Sequence, residues 1–369
     1  MVPSRSNVEY GFEVSPGFLW QTLDELASVP EHGRGLFAGT LAERNVYWRS
    51  FASFVRQAKT YWMAAESTNG SASALNYYYC FLQLAKAELL RTVPVADVEK
   101  RTNHGLTHKH SASGTFAGEK LTVVDGVFPK LYAQRTGLGL PLKEEIQVNR
   151  LLLQIPEIGV ELVRSGLGQP KTFAGMHAIV WDGFQAWPIL CFPDAAALND
   201  ATQPVFRLLH QSFEEIDLSS FQNWRDVFAM SRRLMPKGLF MLQSRNPVAF
   251  GAGPPDAAIT VAGFGLFNAV GNHLSDPVRD RADFMLSLTL TKTGAWTRPM
   301  PAPLARYALI YWLSSVVRYR PRIVDRALSP DQAWLADAFA MNTPLFLLEA
   351  AVAGILKDQL RFQPSGYRI

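Results

Sequence analysis

Cysteine is nearly absent. The 369 residues hold two, Cys80 and Cys191, both in apolar runs. That argues against a disulfide framework and fits a reducing cytoplasm. Neither has the spacing of a metal ligand. Charged residues are also scarce, 18% against 48% hydrophobic. Such a balance argues against disorder and suggests that a partner covers some apolar surface. The longest apolar runs, Leu304–Val317 and Pro344–Leu356, are too short or too interrupted to span a bilayer, so no membrane is expected. Met1–Trp20 carries Glu9, Glu13 and two prolines and does not read as a signal peptide. No Walker A loop occurs, Gly263-Phe264-Gly265 lacks the third glycine of a dinucleotide fingerprint, and no Ser sits in a Gly-x-Ser-x-Gly elbow. No internal repeat or low-complexity tract is present, and no cofactor is expected.

What is present centres on Ala74–His110. From Leu75 to Leu90 there is no Gly or Pro, and Leu75, Tyr78, Tyr79, Leu82, Ala85, Lys86 and Leu89 recur at helical spacing. Tyr77, Cys80, Phe81 and Leu84 fill much of the other side, so the helix belongs in a core. Lys86 and Glu88 can join a buried polar network. Just beyond lies the densest histidine cluster, His104, His108 and His110. The formal charge of +4 permits contact with nucleic acid without requiring it.

In chain order, a short helix is expected over Gly17–Ala27 and an amphipathic one over Leu41–Ala65. Ser67–Ser73 is a loop whose serines can cap the central helix. Residues 95–104 read as a further helix, ended by Gly105. After His110 the stretches KLTVVDGVFPKLYA, TFAGMHAIVWDGFQAWPILCF and KGLFMLQS read as strand-like, and Asp182-Gly183 marks a hairpin. Helices are expected over Pro141–Leu153, Ile158–Ser165, Ala195–Phe213 and Trp224–Leu234. Gly251–Pro255 is a loop and Phe284–Leu290 the last strand. A helix over Ala302–Tyr319 is stopped by Pro321. Another opens with Ser329 as N-cap and Pro330 at its first position, breaking near Pro344 before a last helix through Lys357.

Three stretches together resemble the YaaC-like family of bacterial proteins, which is associated with the HEPN superfamily of helical domains. They are Phe54–Leu90, His104-Gly105-Leu106 followed by Gly126-Val127-Phe128, and Trp312–Pro321. The resemblance implies an α+β, mainly α fold. Its helical HEPN-like core comes from residues 1–112 and 296–369, around an inserted mixed α+β region at 113–295. HEPN-type domains include metal-independent, commonly dimeric RNases as well as non-catalytic members.

HEPN-type RNases carry an Arg, then four to six residues, then a His, and Arg101 to His108 fits with six between. The chemistry needs a His to move the 2′-hydroxyl proton and an Arg to hold the phosphoryl oxygens. Gly105 lies inside that motif and breaks a continuous helix. The bland reading is a basic helix end complementing the dipole. His104, marked by the His-Gly-Leu motif, is either a proton-transfer residue or a helix-closing one. His104 and His108 are four apart, as metal ligands can be, but no Asp, Glu or Cys lies beside them, and no metal is expected. In Arg318-Tyr319-Arg320-Pro321-Arg322, the arginines can contact RNA phosphates and Tyr319 can stack on a base. The alternative there is arginines on the last helix carbonyls. Tyr77, Tyr78 and Tyr79 read as core, though a Tyr hydroxyl can orient a nearby His.

Two functions stay open. One is a cytoplasmic HEPN-like RNase or RNA-binding effector in antiviral defence, acting as a homodimer. The other is a non-catalytic scaffold of the same fold that binds a partner protein encoded nearby. The defence setting rests on superfamily analogy alone.

Overall fold

Capping chemistry sets the first helices. The computed structural model describes residues 15–100, 103–110, 114–168, 174–181, 185–192, 213–215, 227–229, 240–249, 275–280, 283–288 and 300–356. Ser15 accepts a hydrogen bond from the Phe18 N–H, and Pro16 opens α1 (Pro16–Ser28). After the short α2 (Pro30–Gly33), Thr40 and Glu43 form a capping box on α3 (Leu41–Glu66). α4 (Ala74–Leu89) has no side-chain cap; burial holds it. Tyr78, Phe81 and Leu84 are all within its core face. Side chains of this size each contribute roughly 1.5–3 kcal/mol when fully buried. Trp62 of α3 meets Tyr77 and Phe81 at ring separations of 5.2 and 6.2 Å, and Tyr61 stacks on Tyr79 at 5.2 Å. On its other side, Tyr78 meets Tyr307 and Tyr311 at 6.2 and 5.2 Å.

The next segment departs from the sequence reading. α5 (Val95–Glu99) is one turn long, and His104–Lys109 is a strand, β1, not a helix end. β2 (Lys120–Gly126) pairs with β1, and β3 (Glu145–Gln147) with β2, all antiparallel. Gly105 therefore caps no helix. It sits inside β1 at φ +87°, where a side chain is strained. A Cβ there would lie 2.5 Å from Pro129 Cδ and 2.6 Å from the Phe128 nitrogen. A Cβ on Gly126 would lie 2.4 Å from the Gly105 nitrogen. The pairing register shifts between His104 and Leu106, a β-bulge. The chain turns into α6 (Val127–Thr136) directly after Gly126, so the strand-like reading through Ala133 fails there. Pro129 is tolerated because it lies in the first helical turn, where its missing N–H has no partner to lose. The helix expected over Pro141–Leu153 divides into β3 and α7 (Val148–Leu152); α8 (Gly159–Arg164) follows.

The chain divides into two compact units: Met1–Leu152 with Glu157–Gly168 and Pro303–Ile369, and Leu153–Pro156 with Gln169–Ala302. The insertion was expected from residue 113. The β1–β3 sheet and α6 instead lie in the first unit, because β2 and β3 extend β1 and Arg135 of α6 ion-pairs with Glu88 of α4. The second unit holds an antiparallel sheet. Its strands are β4 (Ala174–Trp181), β5 (Gln185–Phe192), β6 (Phe213–Glu215), β7 (Val227–Ala229), β8 (Phe240–Ser244), β9 (Val248–Ala249), β10 (Ser275–Asp280) and β11 (Asp283–Leu288). The order is β10-β11-β4-β5-β8-β6, with β7 on β4 and β9 on β5. β4 and β5 flank Asp182-Gly183 as antiparallel neighbours. β7 stands inside the helix expected over Trp224–Leu234, and β6 begins at Phe213, the last residue of the helix expected over Ala195–Phe213. The remainder of those two stretches, and Gly251–Pro255, lie outside the described residues.

The C-terminal helices follow the sequence closely. α9 (Ala302–Tyr319) ends before a 3-10 turn begun by Pro321. Its ring contacts with Tyr78 place it against α4. Arg306 is wholly buried, forked onto Glu157 at 2.7 and 3.0 Å and lying over the Phe346 ring at 4.8 Å. α10 (Pro330–Asn342) has Ser329 at its N-cap position, but the hydroxyl turns to the Arg322 carbonyl instead of the helix. Buried Thr343 donates to Glu157 Oε1 at 3.1 Å at the break before α11 (Pro344–Leu356). Pro330–Leu356 is apolar and long enough by composition to cross a membrane, and half of its most apolar window is buried inside the protein. The described fold is mainly α with some β.

Gly105→Ala should lose about 2 kcal/mol or more of stability in urea denaturation, from strain at a forbidden φ. Gly139→Ala, where an added Cβ meets nothing within 4 Å, should stay within about 0.5 kcal/mol of wild type.

Candidate functional site

β1 runs alongside α9, and the two histidines that the sequence grouped part company there. His104 sits at the bulge, half-buried, with its Nδ1 2.5 Å from the Tyr78 hydroxyl. The Tyr311 ring lies 5.8 Å from it. Tyr78 is fully buried, and burial, with the neighbouring Tyr307 and Tyr311 phenols, holds its hydroxyl protonated well above the usual tyrosine range. The tyrosine expected to be core is thus both core and the group that orients a His. This bond occupies one ring nitrogen and leaves Nε2 without a partner among the described residues.

Arg318 lies one turn beyond Ser314 on α9 and donates its Nε–H to the Ser314 carbonyl at 3.1 Å. Its guanidinium rests over the Tyr319 ring at 5.0 Å. The helix carbonyl thus takes the Nε–H of the fork and leaves the terminal amino groups for an anion. Burial first, then the charges of Arg318 and Lys86, hold His104 below the ordinary histidine range. Burial likewise lowers Lys86, which lies 5.7 Å from the Phe54 ring centre. A neutral imidazole with a free nitrogen, bonded to a buried phenol and lying in the field of two cations, can bind a phosphate and move a proton.

His108 faces elsewhere. Its side chain is 2% exposed, its Nδ1 lies 2.9 Å from Ser315 Oγ, and its Nε2 bonds the wholly buried Glu119 carboxylate. Both nitrogens are taken, so His108 cannot reach an external phosphate as it stands. Glu119 Oε1 also accepts from Arg320 at 3.1 Å, which commits Arg320 to structure. Exposed His110 lies against the His108 ring at 4.1 Å. The absence of a carboxylate beside these histidines, expected from the sequence, is overturned by Glu119. Tyr319 is 66% exposed and Arg322 is also exposed. Arg101 lies outside the described residues.

Sequence reasoning missed Glu119 and Ser315. Nothing in the sequence around Glu119 marks its burial. The Ser314-Ser315 pair inside an otherwise apolar helix was the only available signal for the other. Glu88 does join a polar network, forked onto Arg135 and close against Gly354, while Arg135 also reaches the Ala350 carbonyl at 3.1 Å.

The YaaC-like protein family matches residues 41–349 of this chain. No curated protein matches it, and no solved structure does.

The depressed His104 pKa has a checkable sign. Protonation is harder in the folded state, so the unfolded chain binds more protons below about pH 6.5 and stability falls as pH falls. The unfolding midpoint of wild type should drop toward that of His104→Gln between about pH 7.5 and pH 5. Glu119→Gln, which leaves Arg320 and His108 facing a neutral amide, should cost about 3–5 kcal/mol in denaturant unfolding.

Proposed function

The chain belongs to the YaaC-like family, and we propose that within it Tyr78, His104 and Arg318 form a phosphodiester site for RNA, acting as a metal-independent endoribonuclease. The single observation that carries the reading is a neutral His104 pinned by a buried tyrosine, beside an arginine whose fork is anchored but not filled. In the reaction His104 is the tautomer whose Nδ1–H donates to the Tyr78 oxygen, so Nε2 carries the lone pair and accepts the 2′-hydroxyl proton as that oxygen attacks the adjacent phosphorus. Arg318 holds the two non-bridging oxygens as charge builds on them. The bond to the 5′ oxygen breaks, and His104 returns the proton to that leaving group, giving a 2′,3′-cyclic phosphate and a free 5′-hydroxyl. Tyr78 keeps the imidazole in place; Lys86 adds positive field. Tyr319, exposed beside Arg318, stacks on a base, and Arg322 meets a flanking phosphate.

The HEPN relationship, a homodimeric state and a cytoplasmic role in antiphage defence belong to this proposal. They follow from the likeness to HEPN-type toxins and from the low charged fraction. The HEPN motif itself, Arg101 with His108, does not carry the reading, because His108 is turned inward. That departure favours the second reading, a non-catalytic scaffold holding a protein partner encoded nearby.

Cleavage of a mixed RNA panel separates the two. His104→Ala and Arg318→Ala should each lower the rate about a hundredfold or more while far-UV spectra stay unchanged. Cleavage should survive EDTA, and its acid limb should lie below about pH 6.5. A folded wild-type protein inert toward every RNA, alone and with the neighbouring gene's product, supports the scaffold instead.

A further inference from the structure

We propose that His108, His110 and Glu119 form a binding site for a divalent transition metal of the zinc class, separate from the His104 site. One ligand atom from each of the three lies within 4.8 Å of the other two. Around zinc, with bonds of about 2.0–2.2 Å, tetrahedral donors sit about 3.3 Å apart. Rotation of the exposed His110 ring closes most of that gap, and the ion replaces the proton shared by His108 Nε2 and Glu119 Oε2, which move apart to hold it. Two imidazoles and one carboxylate suit zinc, cobalt or nickel, and leave a position for water.

The surroundings supply what a metal site needs beyond its ligands. His108 Nδ1 faces Ser315 Oγ at 2.9 Å. With Nδ1–H donating to that oxygen, the Nε2 lone pair points to the metal. Glu119 can coordinate through Oε2 while Oε1 keeps its bond from Arg320. Both buried ligands are therefore oriented by a second residue, and α9 and its C-terminal extension provide both orienters. Exposed His110 completes the set from the solvent side and gives the ion an entry path. Reading Ser315, His108 and Glu119 as a nucleophilic relay fails, because Ser315 is buried within α9 and no substrate reaches its hydroxyl.

The test uses the full chain stripped with chelator and desalted, titrated with Co(II) as a spectroscopic probe. The expected result is one equivalent bound with visible absorption bands, displaced by one equivalent of Zn(II). His110→Ala should bind Co(II) at least about tenfold more weakly. Zn(II) should raise the unfolding midpoint of wild type and not of that variant. Co(II) should also broaden the ring signals of His108 and His110 in the unsubstituted protein. Absence of a saturable Co(II) band, or binding by His110→Ala equal to wild type, overturns the site. RNA cleavage that survives chelation bears on the His104 reading alone, so the two can fail independently.

Discussion

The close approach of Gly105 to Gly126 is the constraint on which the site depends. A side chain at either position would collide with backbone at 2.6 Å or less. Their contact lets β1 bulge at His104 and lets β2 turn straight into α6. Without the bulge, the alternation of a strand would send His104 and His108 to the same face. With it, His104 reaches Tyr78 on α4, while His108 reaches Ser315 on α9. The two glycines of the His-Gly-Leu and Gly-Val-Phe stretches are therefore one device seen twice in the sequence.

The helices were legible because their signals are local. Pro321, Pro330 and Pro344 mark helix ends through backbone chemistry that acts within one turn. The apolar circumference of α4 marked it as a core helix. The histidine segment was misread for the opposite reason. Gly105 carries the same signature as a helix C-cap, and only the distant partner Gly126 makes it a strand residue. The inserted region was drawn too early because β1 was taken for a helix end, which left β2 and β3 with no partner in the helical core. Tyr78, His104 and Arg318 were each singled out from sequence. Glu119 was not, since a lone Glu between glycine and lysine looks like a solvated turn residue until its burial is seen.

The inner end of β1 is tied to the helices by charge. Glu119 holds His108 and Arg320 at once, and Arg320 follows Arg318 on the same helical exit. The His104 site and the His108–Glu119 cluster thus share one strand and one helix end. Lys86 approaches the first from α4, and no carboxylate is among the groups that shift the His104 pKa, which keeps the imidazole neutral and the local field positive.

The central claim is that His104 and Arg318 act together on one phosphate. The most direct test is nitrogen NMR of histidine-labelled protein, with the His104 signals assigned by difference from His104→Gln. The account predicts that His104 titrates below about 6.5 in the free protein. It predicts that a 3′-mononucleotide raises that value, and that Arg318→Met abolishes the rise. A His104 that titrates at the ordinary value and ignores the nucleotide, with or without Arg318, contradicts it.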